Sequence, residues 1–248
     1  MKKINGYAIV TGSSRGLGAE MALRCAKDGH DVVINYTSES SKIKAEEVAT
    51  QVEALGQKAL VVKCDVSNYD DCAAMTKAAS EFFGTRQAIL VANAGIKNLL
   101  SFEDLSHEDF ERVIRVNLLG VMNIVHCSIP YMKDGEGGSI IMLSSVAGQM
   151  GAAKRADYAT TKSGMYGFMK SLALELGEYN VRVNCIAPGM IMTDMLRNND
   201  PKVLEANLQK QPLHYIGDPE DIADAMSFLN QARYVDGQVI AVNGGWYM

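Results

Sequence analysis

The sequence lacks a surplus of positive charge. Its 248 residues carry a formal net charge of -5, with a sequence pI near 5.4. A nucleic-acid groove needs a basic stripe, so we expect no nucleic-acid partner. The sequence also has no Pro/Ser-rich linker and no low-complexity run, and 48% of it is hydrophobic. This length and composition favour one α/β domain over residues 1–248.

Paired cysteines and clustered histidines are lacking as well. The cysteines are scattered without a C-x-x-C pair, and the histidines show no ligand spacing. Reduced packing cysteines are therefore expected, and neither a disulfide nor a metal site is. The positions concerned are Cys25, Cys64, Cys72, Cys127, Cys185, His30, His107, His126 and His214.

Long apolar runs are not evident. No stretch reaches the roughly 18 apolar residues of a membrane span. The apolar segment 7–10 ends at polar Thr11, which makes it too short for the core of a signal peptide. We therefore expect a cytoplasmic protein without a membrane partner.

Short apolar segments alternate with helical ones along the chain. The strand-like segments mostly lack alternation between apolar and polar residues, which is typical of strands buried on both faces of a parallel sheet. The pattern predicts a doubly wound, Rossmann-type seven-stranded sheet with helices on both faces. The predicted strands are 7–10, 31–35, 59–63, 89–92, 139–143, 182–186 and 238–242, and the longer helices are 41–55, 69–83, 107–132 and 157–179.

A glycine turn follows the first predicted strand and precedes a helix. Gly12, Gly16 and Gly18 are spaced G-x-x-x-G-x-G. Glycines at such a turn let the backbone approach a pyrophosphate, which the amides and dipole of the helix N-terminus then bind. A lone glycine triplet is more often an ordinary loop, but the flanking strand and helix favour dinucleotide binding.

Tyr158 and Lys162 lie four residues apart in YATTK, so a helix presents both on one face. A neighbouring ammonium favours the phenolate, and we expect it to lower the pKa of Tyr158 from about 10. Such a phenol can exchange a proton with an alcohol or a carbonyl oxygen. A tyrosine and a lysine at this spacing are by themselves usually solvated surface residues. Ser145 and Asn117 upstream favour a catalytic role for the pair. A structural role is the alternative for each of them: Ser145 could cap or line a loop, and Asn117 could be a polar residue inside a helix with local hydrogen bonds.

These motifs together resemble the short-chain dehydrogenase/reductase family over the whole chain. TGSSRGLG, the NAG of VANAG, Asn117, Ser145, YATTK and PGMIMT occur in the family's order. Within the family the chain is most similar to bacterial 3-oxoacyl-acyl-carrier-protein reductases, notably in TGSSRGLG and GQVIAVNGGWYM. Ala92 departs from the family's usual asparagine, and we expect only a small change at that strand end.

The resemblance implies a role for each catalytic residue. Tyr158 would protonate the carbonyl oxygen as hydride arrives, and Ser145 would hold that oxygen. Lys162 would acidify Tyr158 and bind the nicotinamide ribose, while Asn117 would position a water that relays protons to Lys162. Proton donation and stabilisation of developing charge are the two requirements of ketone reduction.

The second predicted strand is not followed by the acidic residue that would bind the ribose of NAD and repel NADP. Asn35, Tyr36, Thr37 and Ser38 occupy this position. A guanidinium and hydroxyls suit a 2′-phosphate, and the resemblance assigns this role to Arg15 and Thr37, so we expect NADP(H). The alternative is a solvated Arg15 with Thr37 and Ser38 capping a helix. The full cofactor set implied is Gly12, Ser14, Arg15, Gly16, Leu17, Gly18, Thr37, Asp65, Val66, Asn93, Gly95, Tyr158, Lys162, Pro188, Gly189 and Thr193.

The sequence indicates a substrate pocket between the Ser145/Tyr158 rim and segment 190–212. Apolar Met190, Met192, Met195 and Leu196 lie there, and methionines adapt to irregular apolar ligands. The first substrate class is a 3-oxoacyl thioester. The alternatives are another apolar ketone or alcohol, such as a steroid or other small carbonyl compound, and a binding protein without turnover, which the intact catalytic set disfavours.

The resemblance also concerns partners. Similar reductases dock an acidic acyl carrier protein on arginines, but Glu136 and Tyr179 occupy the aligned positions here. An acidic residue repels an acidic partner, so we doubt a carrier-bound substrate, although Lys133, Lys154, Arg155 and Arg182 are basic residues nearby. Relatives are commonly tetramers, and a homotetramer is expected through the helix around 164–172 and strand 239–242.

Overall fold

Seven parallel strands form one sheet in the computed structural model, which describes residues 5–133, 136–197 and 201–248. The strand order is β3-β2-β1-β4-β5-β6-β7, and every neighbouring pair is parallel. The predicted fold class is confirmed, with small shifts at strand ends. The strands are β1 Tyr7–Val10, β2 Val32–Tyr36, β3 Ala59–Lys63, β4 Gln87–Ala92, β5 Gly138–Leu143, β6 Val181–Pro188 and β7 Val239–Val242.

Helices connect the strands, because parallel neighbours need a crossover connection between them. The sequence prediction placed the long helices correctly but missed the helix before β7. The helices are α1 Gly16–Lys27, α2 Glu39–Ala54, α3 Tyr69–Phe83, α4 His107–Ile114, α5 Gly120–Ser128, α6 Val146–Met150, α7 Ala156–Leu176, α8 Asp194–Arg197, α9 Pro201–Leu208 and α10 Pro219–Gln231.

Two apolar cores cover the faces of the sheet. On one face α3, α5 and α7 pack against strand residues such as Ile9 and Leu90, and on the other α1, α2 and α10 pack against residues such as Val10 and Ile89. Both sides of each central strand are therefore buried, and β1, β4, β5 and β6 are buried along their whole length. Continuous apolar runs in these strands follow from this double cover.

The order of the strands reverses between β1 and β4. The chain moves outward from β1 to β2 and β3, and then returns to place β4 on the other side of β1. In open α/β sheets a ligand crevice lies at such a reversal, beyond the carboxyl ends of the strands. The glycine turn after β1 and the NAG segment after β4 both lie at this crevice.

The long helix predicted over 107–132 is not uniform. A π-helical turn spans Arg115–Leu119 between α4 and α5, and the amide of Gly120 donates to the carbonyl of Arg115. A π turn inserts one residue into the helical repeat and frequently marks a functional position. Hydrophobic periodicity does not reveal this insertion, and Asn117 lies at its centre.

The stretch His107–Tyr131 is long and apolar enough to cross a membrane by length and composition, with a mean hydropathy of 1.4. The sequence prediction overlooked it. Here it carries fully buried Val113 and Ile124 and packs against α3, α7 and the sheet. A core helix meets the same criteria, and this arrangement is that of a core helix.

Candidate active site

The glycine turn is held tightly against the end of β4. Gly12 has φ +64, and its amide donates to Asn35 Oδ1 at 2.8 Å. Asn93 Nδ2 donates to the carbonyl of Thr11 at 2.9 Å. A Cβ on Gly18 would lie 2.3 Å from the Gly12 carbonyl oxygen, so only glycine permits this approach. Ser14 is buried and Leu17 packs against the core beneath α1.

Asn35 proves to be a structural residue that the sequence analysis did not recognise. Its Nδ2 donates to the Cys64 carbonyl at 3.0 Å, and its backbone amide donates to Ser13 Oγ at 2.8 Å. It therefore joins the ends of β1, β2 and β3. The sequence does not predict that one side chain would bind the backbone at the ends of three strands.

Arg15 and Thr37 lie exposed on either side of the β1/β2 edge. Among the described residues, neither side chain has a hydrogen-bonding or ionic partner. Ser38 is different, since it forms a capping box with Ser41 at the start of α2. The helix-capping alternative is therefore correct for Ser38 alone, and a guanidinium and one hydroxyl remain available to an anion.

Further residues of the predicted cofactor set line the same edge. Asp65 is exposed and its Oδ1 accepts from the Ser67 amide at 2.9 Å, whereas Val66 is buried. On the opposite side Gly189 follows Pro188 at the end of β6 and packs on Asn243. Thr193 Cγ2 lies 3.9 Å from the position a Cβ would take on Gly16, so the β6 loop meets the glycine turn across the crevice.

Tyr158 and Ser145 come together at the carboxyl end of β5. Ser145 caps α6, where its Oγ accepts from the Ala147 amide at 3.2 Å. The Ser145 hydroxyl lies near enough to that of Tyr158 for hydrogen bonding between them to lower the Tyr158 pKa. Two hydroxyls in contact beside a crevice can hold a carbonyl oxygen and donate a proton to it.

The pKa of Tyr158 is raised, which contradicts the predicted lowering by Lys162. Burial is the main cause, and it outweighs the opposing effects of the Ser145 hydrogen bond and the nearby Arg155 guanidinium. The Lys162 ammonium lies 5.6 Å from the centre of the Tyr158 ring and donates to the Leu143 carbonyl at 2.5 Å. The Lys162 ammonium therefore does not produce the predicted lowering of the Tyr158 pKa.

Lys162 is almost fully buried at 3% exposure. Burial lowers the pKa of its ammonium to about 8. The position a Cβ would take on Gly95 lies 3.6 Å from Lys162 Nζ and 3.3 Å from Asn117 Oδ1. Lys162, Asn117 and Gly95 therefore meet directly beneath the crevice.

Asn117 holds the loop after β4. Its Oδ1 accepts from the Ile96 amide and its Nδ2 donates to the Ile96 carbonyl, both at 2.8 Å, with a further bond to Thr161 at 3.3 Å. The side chain is thus bound to the loop backbone, and its predicted role in positioning a relay water stays a prediction. The π turn explains the position, because it rotates Asn117 inward.

Two residues that sequence reasoning missed, Ser144 and Tyr166, support the segment that carries Ser145. Ser144 Oγ donates to the Lys162 carbonyl at 2.8 Å and contacts the Tyr166 hydroxyl at 2.9 Å. Tyr166 also donates to the Ser145 carbonyl at 3.3 Å. Its spacing of eight residues after Tyr158 was the available signal, since two helical turns place both on one face.

The predicted pocket segment 190–212 includes positions 198–200, which lie outside the described residues, as does the side chain of Met195. Met190 is buried and Met192 is 37% exposed. A cleft of about 350 Å³ borders this segment, lined among others by Met190, Leu213 and Tyr215. Its lining does not include Ser145 or Tyr158, so the predicted pocket between the two regions stays a prediction.

Comparison with known proteins agrees with this geometry. Residues 12–247 match the family described as enoyl-(acyl carrier protein) reductase. The chain belongs to the short-chain dehydrogenase/reductase family.

Three relatives illustrate the range of that family. The 3-oxoacyl-acyl-carrier-protein reductase FabG of Staphylococcus aureus strain Mu50 is 38% identical over 99% of this chain and 100% of its own length. The L-rhamnose 1-dehydrogenase (NAD(P)(+)) of Sphingomonas sp. strain SKA58 is 35% identical over 100% and 99%. A short-chain dehydrogenase from Burkholderia cenocepacia J2315, solved with NADP, is 30% identical, with a TM-score of 0.91 and 97% of both chains covered.

Proposed function

We propose that this protein reduces a ketone to a secondary alcohol with NADPH, using one domain over residues 1–248 for cofactor and substrate. The contact between the Tyr158 and Ser145 hydroxyls, with buried Lys162 one helical turn further on, is the observation that carries the proposal. The proton donor, and the hydrogen-bond donor to the carbonyl oxygen, thus lie together beside a glycine turn of the dinucleotide-binding type. The relatives named as reductase and dehydrogenase support the same chemistry.

The residues at the crevice fit a nicotinamide dinucleotide. The close approach of Gly18 to Gly12 leaves room for a pyrophosphate at the N-terminus of α1. By the family resemblance we assign Lys162 to a ribose hydroxyl of the cofactor, and Asp65 and Val66 to its adenine. When bound, the cofactor supplies a hydride to the carbonyl carbon.

Residues of the protein then stabilise and protonate the carbonyl oxygen of the substrate. Ser145 donates a hydrogen bond to the carbonyl oxygen and stabilises its developing charge. Tyr158 gives that oxygen its proton, and the raised pKa of Tyr158 keeps it protonated for this task. Lys162 stabilises the charge left on Tyr158. The amide group of Asn117 fixes the loop that borders the site.

NADP(H) is the proposed cofactor because the end of β2 carries no carboxylate, while Arg15 and Thr37 are exposed beside it. We expect Arg15→Ala to weaken NADPH binding roughly tenfold to a hundredfold, the value of one charge-assisted contact. NADH binding should change little. Titration of both cofactors by fluorescence measures this, and equal losses for the two would show that Arg15 does not contact the 2′-phosphate.

The first substrate class is a 3-oxoacyl thioester, by similarity to the reductases named above. The second is a small polar or apolar carbonyl compound, since a relative named as a sugar dehydrogenase matches over the whole chain. The family description names an enoyl reductase, but the paired Tyr158 and Ser145 hydroxyls serve a carbonyl oxygen. Ketones are therefore favoured over enoyl groups.

A carrier-bound substrate is not favoured. Lys133 Nζ lies 3.8 Å over the Tyr179 ring, and the Arg182 guanidinium is buried against the carbonyls of Leu229 and Asn230. The Arg182 guanidinium is therefore not available to bind an acidic carrier protein. This region lies at the amino end of β5, roughly 20 Å along six residues from the catalytic edge.

One panel tests these substrate proposals. NADPH consumption is followed with a 3-oxoacyl group on coenzyme A, the same group on acyl carrier protein, its enoyl analogue, and free ketones. We expect kcat/KM on the coenzyme A form to equal or exceed that on the carrier form at low and high salt. A strong, salt-sensitive preference for the carrier form would restore carrier docking, and turnover of the enoyl form alone would overturn ketone reduction.

We also propose a cytoplasmic homotetramer. Met165 and Leu172, predicted for the interface, instead belong to the chain's own core. Exposed Gly164 and Gly167 on α7 still offer a close-packing surface, and Leu174 on the same helix is 87% exposed. Light scattering at micromolar concentration measures the mass, and a monomer would contradict the proposal.

A further inference from the structure

The segment that carries Ser145 is joined to α7 by side-chain hydroxyls. Ser144 Oγ donates to the Lys162 carbonyl at 2.8 Å and contacts the Tyr166 hydroxyl at 2.9 Å. The Tyr166 hydroxyl also donates to the Ser145 carbonyl at 3.3 Å. Because Lys162 and Tyr166 are four residues apart on α7, they lie on the same face of the helix. The end of β5 is therefore bound to two successive turns of α7.

α6 and α7 also approach each other closely at this place. The position that a Cβ would take on Gly148 lies 2.8 Å from the carbonyl carbon of Lys162, so a larger residue would push α6 away from α7. Lys162 Nζ donates to the Leu143 carbonyl at 2.5 Å. The separation of the serine segment from α7 is thus set at Lys162, one helical turn after Tyr158.

The direction of the Ser145 side chain depends on the backbone around it. Its Oγ accepts from the Ala147 amide at 3.2 Å, and its carbonyl accepts from the Gly148 amide at 2.9 Å. Since one lone pair of the Oγ faces the Ala147 amide, the hydroxyl proton remains available to a substrate oxygen. The second bond to the Ser145 carbonyl, from Tyr166, ties the peptide group that follows Ser145 to α7.

Tyr166 and Ser144 are placed to act through the backbone rather than on a substrate. Ser144 is buried, with 4% exposure, and Tyr166 packs against the apolar core on the α7 side of the sheet. Their hydroxyls bind the carbonyls of Lys162 and Ser145, whose side chains belong to the proposed catalytic set. These bonds can therefore align the two elements that carry the catalytic groups.

We propose that Tyr166 and Ser144 are positioning residues, which hold the Ser145 hydroxyl where it meets the same substrate oxygen as the Tyr158 hydroxyl. The inference rests on the proposed ketone reduction and adds to it two residues that act through Ser145. A displacement of a reacting group by about 1 Å can lower a rate about 10²-fold. A small shift of the β5–α6 turn relative to α7 is therefore enough to slow turnover while the fold is kept.

Tyr166→Phe tests the inference, because it keeps the ring in the core and removes the hydroxyl. Steady-state NADPH consumption is measured with the ketone of the panel above that has the highest kcat/KM. We expect kcat to fall roughly tenfold to a hundredfold, while KM for the ketone and Kd for NADPH each change less than about threefold. Ser144→Ala should act in the same direction. The Tm of each variant should fall by no more than about 4 °C, the effect of one lost hydrogen bond.

A double variant separates positioning from a general structural effect. Once Ser145→Ala has removed the serine hydroxyl, Tyr166 has no catalytic group left to place. Adding Tyr166→Phe to Ser145→Ala should therefore change the remaining kcat by less than about twofold, since residues that act as a unit are not additive. Ser171→Ala is the matched control, because it removes an exposed hydroxyl of α7 that donates to the Gly167 carbonyl at 3.2 Å. It should leave kcat and KM unchanged.

The outcomes distinguish this inference from the proposed function. Ketone reduction by Tyr166→Phe within twofold of the parent rate would overturn the inference and leave the ketone reductase standing. A tenfold loss that persists in the Ser145→Ala background would also overturn it, since Tyr166 would then act on the fold and not through Ser145. A fall in NADPH affinity as large as the fall in kcat would have the same meaning. Failure of the parent protein to reduce any ketone of the panel, with NADPH bound, would count against both.

Discussion

Tyr158→Phe is expected to lower kcat for ketone reduction by about 10²- to 10⁴-fold, the usual contribution of a positioned general acid. The variant keeps the ring and removes only the hydroxyl that contacts Ser145. Packing of α7 should therefore be unchanged, and NADPH should bind as before. The loss belongs in kcat because proton donation takes place in the transition state.

The direction of the pKa shift adds a pH dependence to this expectation. Burial raises the pKa of Tyr158 above 10, so the phenol stays protonated throughout the neutral range. Reduction needs this protonated form and should not gain rate as pH rises from 7 to 9. Alcohol oxidation by NADP needs the phenolate, so its rate should increase over the same interval.

Single-turnover absorbance of NADPH with saturating ketone measures the chemical step directly. Tyr179→Phe is the matched control, because Tyr179 ends the same helical segment and its ring, under Lys133, is retained. Near-normal reduction by Tyr158→Phe would remove Tyr158 from the role of acid. A loss of NADPH affinity equal to the loss of rate would instead point to a structural role.

The sequence was sufficient for the sheet because its signals are local and strong. The predicted strands 7–10 and 59–63 coincide with the observed β1 and β3. β1 is buried and apolar at every position, as a strand covered on both faces requires, whereas β3 lies at the sheet edge and is only partly buried. Of the predicted catalytic residues, Ser145 follows β5 and so lies at the carboxyl edge that the parallel strands share, while Tyr158 and Lys162 lie on α7.

Contacts between residues that are distant in the sequence could not be predicted. The spacing of Tyr158 and Lys162 placed both on one helix face, but the choice of Leu143 as the partner of the Lys162 ammonium depends on where β5 ends. Burial also reversed the predicted shift of Tyr158, because desolvation depends on the whole fold. The π turn at Asn117 is likewise hidden, since one inserted residue barely alters hydrophobic periodicity.

Lys162→Met is expected to separate catalysis from stability. Methionine has similar length and packs well in apolar surroundings, but it carries no charge. We expect kcat to fall by about 10²-fold or more, the usual effect of removing one preorganised electrostatic group. NADPH affinity should fall roughly tenfold to a hundredfold, because one ammonium serves both the ribose and the Tyr158 hydroxyl.

The stability of the protein without cofactor should not fall in parallel. The pKa of Lys162 is lowered to about 8 in the folded protein, against about 10.5 for an unfolded lysine. Below pH 8 this difference costs on the order of 3 kcal/mol of folding free energy, and the cost disappears as pH rises from 8 to 10.5. Methionine avoids the cost and loses one hydrogen bond to Leu143, worth about 1 kcal/mol.

Thermal unfolding at pH 7 and pH 10 tests whether the Lys162 ammonium destabilises the folded protein. At pH 7 the Tm of Lys162→Met should equal or exceed that of the parent protein, and at pH 10 this advantage should vanish. Lys170→Met, eight residues along α7 and exposed, controls for the loss of a lysine and should change neither Tm nor kcat. A marked fall in Tm at pH 7 would show that the buried ammonium stabilises the fold. The inactive but stable variant expected here would instead show that the protein keeps Lys162 for its chemistry, at a cost in folding free energy.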